Sequence, residues 1–219
     1  MLGTYIVDSG DSVPYPKHFV FKPGRQNYGD YLKKHVSAAQ ASGAKTGVSV
    51  ISVRIEDTVD FLVAAEEAGA DYLSLCAHSD MEMFVNAGLG EALCRHENPG
   101  RLKEWATAIR DAVNIPVIFK IGLTEPDETI DAVETIADSG VPMVHINVGE
   151  TEPDFEGLSM LNQLAGRCQF LIGGGGVKDI DGARRVLDAG ADAVAIGAAA
   201  MKDAALCSRI QNMLREGMN

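Results

Sequence analysis

Long apolar runs, an excess of basic charge and paired cysteines are all missing from this 219-residue chain. No stretch approaches the roughly 18–20 apolar residues that a membrane-crossing helix needs. The start, MLGTYIVDSGDS, has no basic segment followed by an apolar core, so no signal peptide is expected. A cytoplasmic protein without membrane contact is the expectation. Lys and Arg number 19 against 31 Asp and Glu, a net charge of −12. Nucleic acid is held largely through its phosphates, so it is not an expected partner. The nearest thing to a basic patch, Lys33, Lys34 and His35, reads as a solvated helix face. The four cysteines, Cys76, Cys94, Cys168 and Cys207, are far apart and form no CxxC pair. Neither a disulfide framework nor a metal site is suggested. With 46% apolar residues, the chain suits one globular domain over 1–219.

What is present is a repeat. Short apolar runs at 48–53, 72–76, 116–121, 143–147, 169–173 and 193–197 read as strands. Their composition is that of strands buried on both faces. Amphipathic helices are expected over 28–42, 56–68, 99–112, 126–138, 155–165, 178–189 and 202–216. The segments AAEEAGADYLSL (64–75), TIADSGVPMVHI (135–146) and RVLDAGADAVAI (185–196) share one shape. Each closes a helix with a glycine suited to the left-handed cap and then enters a strand. Such units imply parallel strands joined by crossover helices. Six in unbroken series favour a TIM (β/α)8-type barrel over a doubly wound sheet. Eight strands need two more, and TYIVDS (4–9) and HFVF (18–21) are the candidates. No helix fits between them, so the N-terminal part of the barrel is expected to be irregular.

Several motifs could carry chemistry. The run IGGGGV, with Gly174, Gly175 and Gly176, ends one strand just before a helix, and AIGAAA, with Gly197 and Ala198, ends the next. Glycine lets a ligand approach the backbone, free N–H groups at a helix start suit phosphate, and barrels often bind phosphate at their last two loops. The alternative is a pair of ordinary tight turns. Lys120, in PVIFKI, is a charge inside an apolar strand, costly unless it is paired or functional. His145 holds the matching place in MVHIN. The segment 76–93 is long for a connection and offers His78, Ser79, Asp80 and Glu82 as polar groups.

These residues together resemble the FMN-binding barrels of the dihydrouridine synthase and dihydroorotate dehydrogenase superfamily. Within it, the likeness is nearest to archaeal dihydrouridine-synthase-like barrel proteins. It runs from Gly47 to Leu93 and from Arg101 to about Ala200. The strand IFKI is similar to the family's VKIR, and VHIN to its histidine strand. The glycines 174–176 are similar to its NGG turn, and IGAAA to its IGRGA turn. The resemblance implies that Lys120 and His145 contact FMN, with Ser49 and Cys76 lining the ring. It also implies that Gly174, Gly175, Gly176, Gly197 and Ala198 hold the phosphate. The departures are equally specific. Ser49 replaces a glutamine, Cys76 an asparagine, and Ser79 the proton-donating cysteine, while Gly122 and Ala198 replace arginines. A serine hydroxyl is a far weaker acid than a thiol, although some dihydroorotate dehydrogenases use serine as a base. No room is left for the synthases' tRNA-binding domain, so dihydrouridine synthesis is not expected.

Three functions follow as expectations. One is an FMN-dependent oxidoreductase of a small molecule, such as a dihydropyrimidine-type or related unsaturated substrate. In it Lys120 and His145 meet the flavin, and Ser79 or His78 handles the proton. Another is a vestigial flavin- or phosphate-binding barrel without catalysis. The third is a flavin-independent aldolase or isomerase of a phosphorylated metabolite, with Lys120 as a Schiff-base candidate. Association into a homo-oligomer is open.

Overall fold

Apolar side chains at every second position of each strand, and at three- and four-residue spacing on each helix, determine how the chain folds back on itself. The computed structural model describes residues 1–7 and 25–216. Seven strands occur there: β1 (Leu2–Ile6), β2 (Gly47–Ile51), β3 (Tyr72–Ala77), β4 (Val117–Ile121), β5 (Met143–Asn147), β6 (Phe170–Gly174) and β7 (Ala193–Ala195). All neighbouring pairs are parallel, and the sheet order follows the chain from β1 to β7 without reversal. A doubly wound sheet reverses its strand order at a switch point, whereas a barrel does not.

The main helices are α1 (Tyr28–Gln40), α2 (Ile55–Glu67), α4 (Pro99–Ala112), α5 (Pro126–Asp138), α6 (Phe155–Leu164) and α7 (Ile180–Asp188). A short α3 (Glu82–Val85) precedes α4, and α8 (Ala198–Lys202) and α9 (Leu206–Glu216) end the described chain. Each long helix packs on the next, from α1 on α2 through to α7 on α9. An unbroken series of helices outside a sequentially ordered parallel sheet matches the TIM-type barrel. Among the described residues no helix is long and apolar enough to cross a membrane.

Expected and observed elements agree closely in the regular series, and the differences have local causes. The strand expected at 4–9 begins at Leu2, and HFVF lies outside the described residues. The long segment after β3 is not wholly a loop, because it contains α3 and a 3-10 turn over Gly90–Cys94. The helix expected over 202–216 starts later, as α9 at Leu206, and the separate α8 over Ala198–Lys202 precedes it. Asp203 separates them by accepting from the Ala205 N–H at 3.1 Å and pairing with Arg209.

Strands β2 and β3 are buried on both faces, as their composition implies, whereas β5 alternates between buried and half-exposed residues. Val48, Val50, Leu73, Leu75, Phe119, Val144, Ile146 and Leu171 are fully buried. On β6 this is the helix-facing set, since a Cβ on Gly173 would overlap Val186 of α7 and approach Leu161 of α6 at 2.9 Å. The alternate, inner set mixes the polar Thr4, Ser49, Ser74, Cys76, Lys120, His145 and Asn147 with the apolar Ile118, Met143 and Ile172. In β5 this inner face is half-exposed.

Phe61 of α2 joins the first elements to the rest. It is fully buried, with its ring 5.1 Å from Tyr28 of α1 and 5.5 Å from Tyr5 of β1. Phe61→Ala is expected to destabilise the protein by about 3–5 kcal/mol. Urea unfolding followed by circular dichroism checks this, and an unchanged midpoint would show that the aromatic cluster contributes nothing.

Candidate functional site at the C-terminal mouth

Strand register brings three of the singled-out residues into one row. Cys76 of β3 stands beside Lys120 of β4, and Lys120 beside His145 of β5. All three lie on the inner face, toward the ends of their strands. Period-two alternation sends Phe119 and Ile121 to the helices and leaves Lys120 inside. The helix-facing pair is fully buried while Lys120 is half-buried. Among the described residues no carboxylate pairs with Lys120. A cation in such a place costs several kcal/mol unless water or a ligand compensates it.

Both neighbouring imidazoles respond to it. Burial first, then the charges of Lys120 and His78, push the His145 pKa down from 6.5 to about 3. His78, just beyond β3, is lowered too, mainly by burial and next by Lys120. Each is therefore neutral at pH 7. The Nε2 of His145 is fully buried and has no hydrogen-bond partner among the described residues. It fits because position 174 is glycine: a Cβ there would overlap Nε2 and stand 2.8 Å from the Ala195 Cβ.

Cys76 is 6% exposed. Burial raises its pKa, while the His78 N–H, the Lys120 charge and the Thr4 hydroxyl act in the opposite direction. Thr4 Oγ1 lies 3.0 Å from Ser49 Oγ. Thr4 is therefore a member of the site that sequence reasoning missed. The only available signal was its place in the run TYIVDS, which read simply as a strand. Ser49, Cys76, Lys120, His145 and His78 come together, and Ser79 differs. Its hydroxyl accepts a hydrogen bond from the Met81 N–H at 3.3 Å, and its carbonyl accepts from the Glu91 N–H at 3.0 Å. Both bonds shape the turn into α3, and none joins Ser79 to Lys120 or His145.

The two glycine turns lie side by side, because Gly174 is in register with Ala195. Gly175 (φ 103°) and Gly176 (φ 65°) are in the left-handed region. A Cβ on either would overlap the loop after β5: Asn147 and the Gly149 carbonyl for Gly175, and the Glu152 backbone for Gly176. These glycines therefore fix the shape of two packed loops. At α7 the N–H of Gly182 is already taken, bonding the Asp179 carboxylate at 2.8 Å. Around Gly197 the space is open, with no atom within 4 Å of an added Cβ. Elsewhere, a surface groove of about 330 Å³ lies between the start of α5 and α6, bordered by Leu123, Thr124, Phe155 and Met160. It does not include the Lys120 row. Among the described residues no group of His, Cys, Asp or Glu is arranged to hold a metal ion.

Comparison with known proteins gives the fold and a partial sequence match. A family described as "Histidine biosynthesis protein" matches residues 153–216, from just before α6 to the end of α9. No curated protein matches by sequence. DHODH from Eimeria tenella in complex with ferulenol is similar over 91% of this chain and 66% of its own, with 14% identity and a TM-score of 0.69. The ligand-free DHODH from the same organism is similar over 86% of this chain and 65% of its own, with 14% identity and a TM-score of 0.62. The chain thus spans just under two thirds of these structures, and the likeness establishes the barrel fold.

The depressed His145 pKa links stability to pH. A base whose folded pKa lies below its unfolded value stabilises the fold fully above about pH 6.5, and the contribution is lost as pH falls toward about 3. Unfolding free energy is therefore expected to drop between pH 7 and pH 4, and the drop should be smaller in His145→Phe. Denaturant titrations at the two pH values measure it. Equal pH dependence in both proteins would show that His145 is not buried as a neutral ring.

Proposed function

We propose that the chain is an FMN-binding oxidoreductase acting on a small molecule at the C-terminal mouth. The observation that carries this reading is Lys120, a cation without a carboxylate partner among the described residues, beside two imidazoles held neutral. Such a site suits an anionic or electron-accepting ligand, which would compensate the charge. The fold likeness to DHODH and the resemblance of Lys120 and His145 to flavin-site residues point the same way.

The residues present fit FMN. Lys120 would lie at the edge of the ring where reduction leaves negative charge, and the unpartnered His145 Nε2 offers one hydrogen bond. Ser49 and Cys76 would border the ring, and the phosphate would sit at the open start of α8, by Gly197 and Ala198. The glycines 174–176 would shape its other wall. Bound FMN supplies two-electron hydride chemistry. Lys120 holds charge, the fully buried helix-facing strand residues keep the frame rigid, and His78, Ser79 and Cys76 are the groups within the mouth region able to move a proton.

A second reading is favoured by one observation, the histidine-biosynthesis match over both glycine turns. It would make the chain a flavin-independent isomerase of a phosphorylated metabolite. The Schiff-base alternative gains little. A Schiff-base amine must be neutral to attack, and among the described residues no acidic or basic partner of Lys120 is seen that would prepare it for that role.

The readings separate on binding. The purified protein should take up FMN at micromolar concentration, quenching its fluorescence. Gly197→Asp, which has room for its side chain, should weaken FMN by about tenfold or more through charge repulsion while leaving riboflavin unaffected. Lys120→Met should keep the fold and shift the flavin reduction potential to a more negative value. Failure of the wild-type protein to bind FMN would remove this reading in favour of the isomerase. Binding with no turnover of any unsaturated substrate would leave a vestigial binder.

A further inference from the structure

We propose that the groove between α5 and α6 docks a basic amphipathic segment of a partner protein. Its apolar wall is made by Leu123, Phe155 and Met160. Phe155 opens α6 and is 87% exposed. The other exposed large apolar side chains among the described residues, Met1, Met201 and Met213, are flexible methionines. A phenyl ring standing in water at the edge of an apolar groove is an anchor without its counterpart.

The ring is held there by its surroundings. Its chain neighbour Asp154 caps α6, accepting from the Gly157 N–H at 2.8 Å, and donates its own N–H to the Val148 carbonyl at 3.0 Å. Gly157 has no room for a Cβ against the Val148 backbone, and Arg185 of α7 donates to the Pro153 carbonyl at 2.6 Å. The start of α6 therefore cannot turn to bury Phe155 without breaking these contacts. The opposite wall is fixed as well, since the buried Thr129 of α5 accepts from the Thr124 N–H at 3.1 Å. A groove with two set walls binds without the entropy cost of ordering them.

Charge determines what fits. Pro126 borders both this groove and a second recess, of about 410 Å³, lined by Glu125, Asp127, Glu128 and His96. Carboxylates at a helix start complement its dipole. Yet none of Glu125, Asp127, Asp154 and Glu156 pairs with Lys or Arg among the described residues. An apolar groove running into an acidic recess matches lysine or arginine set beside aliphatic residues at helical spacing. A small molecule matches less well, because a ligand site encloses most of its occupant. The chain's own net charge of −12 opposes a second copy.

Docking here is independent of any flavin at the mouth, so the test needs no cofactor. Fluorescence anisotropy follows binding to the full chain of a labelled peptide of leucine and lysine at helical spacing. One control peptide has glutamate for lysine, and another has lysine alone. The leucine–lysine peptide should bind with a Kd of about 10 µM or tighter, and each control at least about tenfold more weakly. Phe155→Ser should weaken binding about tenfold. Glu125→Gln with Asp127→Asn should weaken it about fivefold and flatten its salt dependence. Glu67→Gln with Glu104→Gln, at exposed positions of α2 and α4, removes as much charge elsewhere and should change nothing. Circular dichroism checks that each variant is folded. The docking site is overturned if the leucine–lysine peptide does not bind, or if the lysine-only peptide binds equally well. It is overturned too if Phe155→Ser binds like wild type, or if both pairs of charge variants lose affinity alike. A wild-type dimer in sedimentation that Phe155→Ser splits into monomers would show a second copy in the groove and overturn the basic partner.

Discussion

One lysine charge on the inner face of a parallel sheet organises the mouth of this barrel. Lys120 has Phe119 and Ile121 as chain neighbours, both fully buried toward the helices, so its own side chain can only turn inward. Once there, it cannot be compensated by the sheet, whose backbone groups are consumed by the ladder. Burial, with this charge second, holds His78 and His145 neutral; at Cys76 burial raises the thiol pKa while the charge acts in the opposite direction. Burial and one charge held in place by strand alternation thus act together on the row.

The glycines divide into two kinds. Gly174 makes space for a functional side chain, His145, while Gly175 and Gly176 let two loops approach where no Cβ fits. The open part of the expected phosphate cradle lies one strand further on, at Gly197. Gly90 is of the packing kind, since a Cβ there would overlap the Ser79 carbonyl. That contact ties the loop after β3 to the turn preceding α4. Ser79 thereby holds the loop in shape, leaving the inner row to Cys76 and its neighbours.

The alternation of apolar runs and amphipathic helices made the barrel legible in the sequence from Gly47 onward. Each crossover unit is local, and its helix, glycine cap and strand are written in adjacent residues. The inner-row membership of Lys120 and His145 was legible for the same reason, since a charged or polar residue in an apolar strand stands out against its neighbours. The pairing of Cys76 with Lys120, the contact of Thr4 with Ser49, and the room Gly174 makes for His145 depend on register between strands far apart in the chain. Register is set by how whole helices pack on the sheet, and no short stretch of residues encodes it. The family resemblance singled out Ser79, and no sequence signal singled out Thr4, because a hydroxyl's partners are chosen by the folded chain around it.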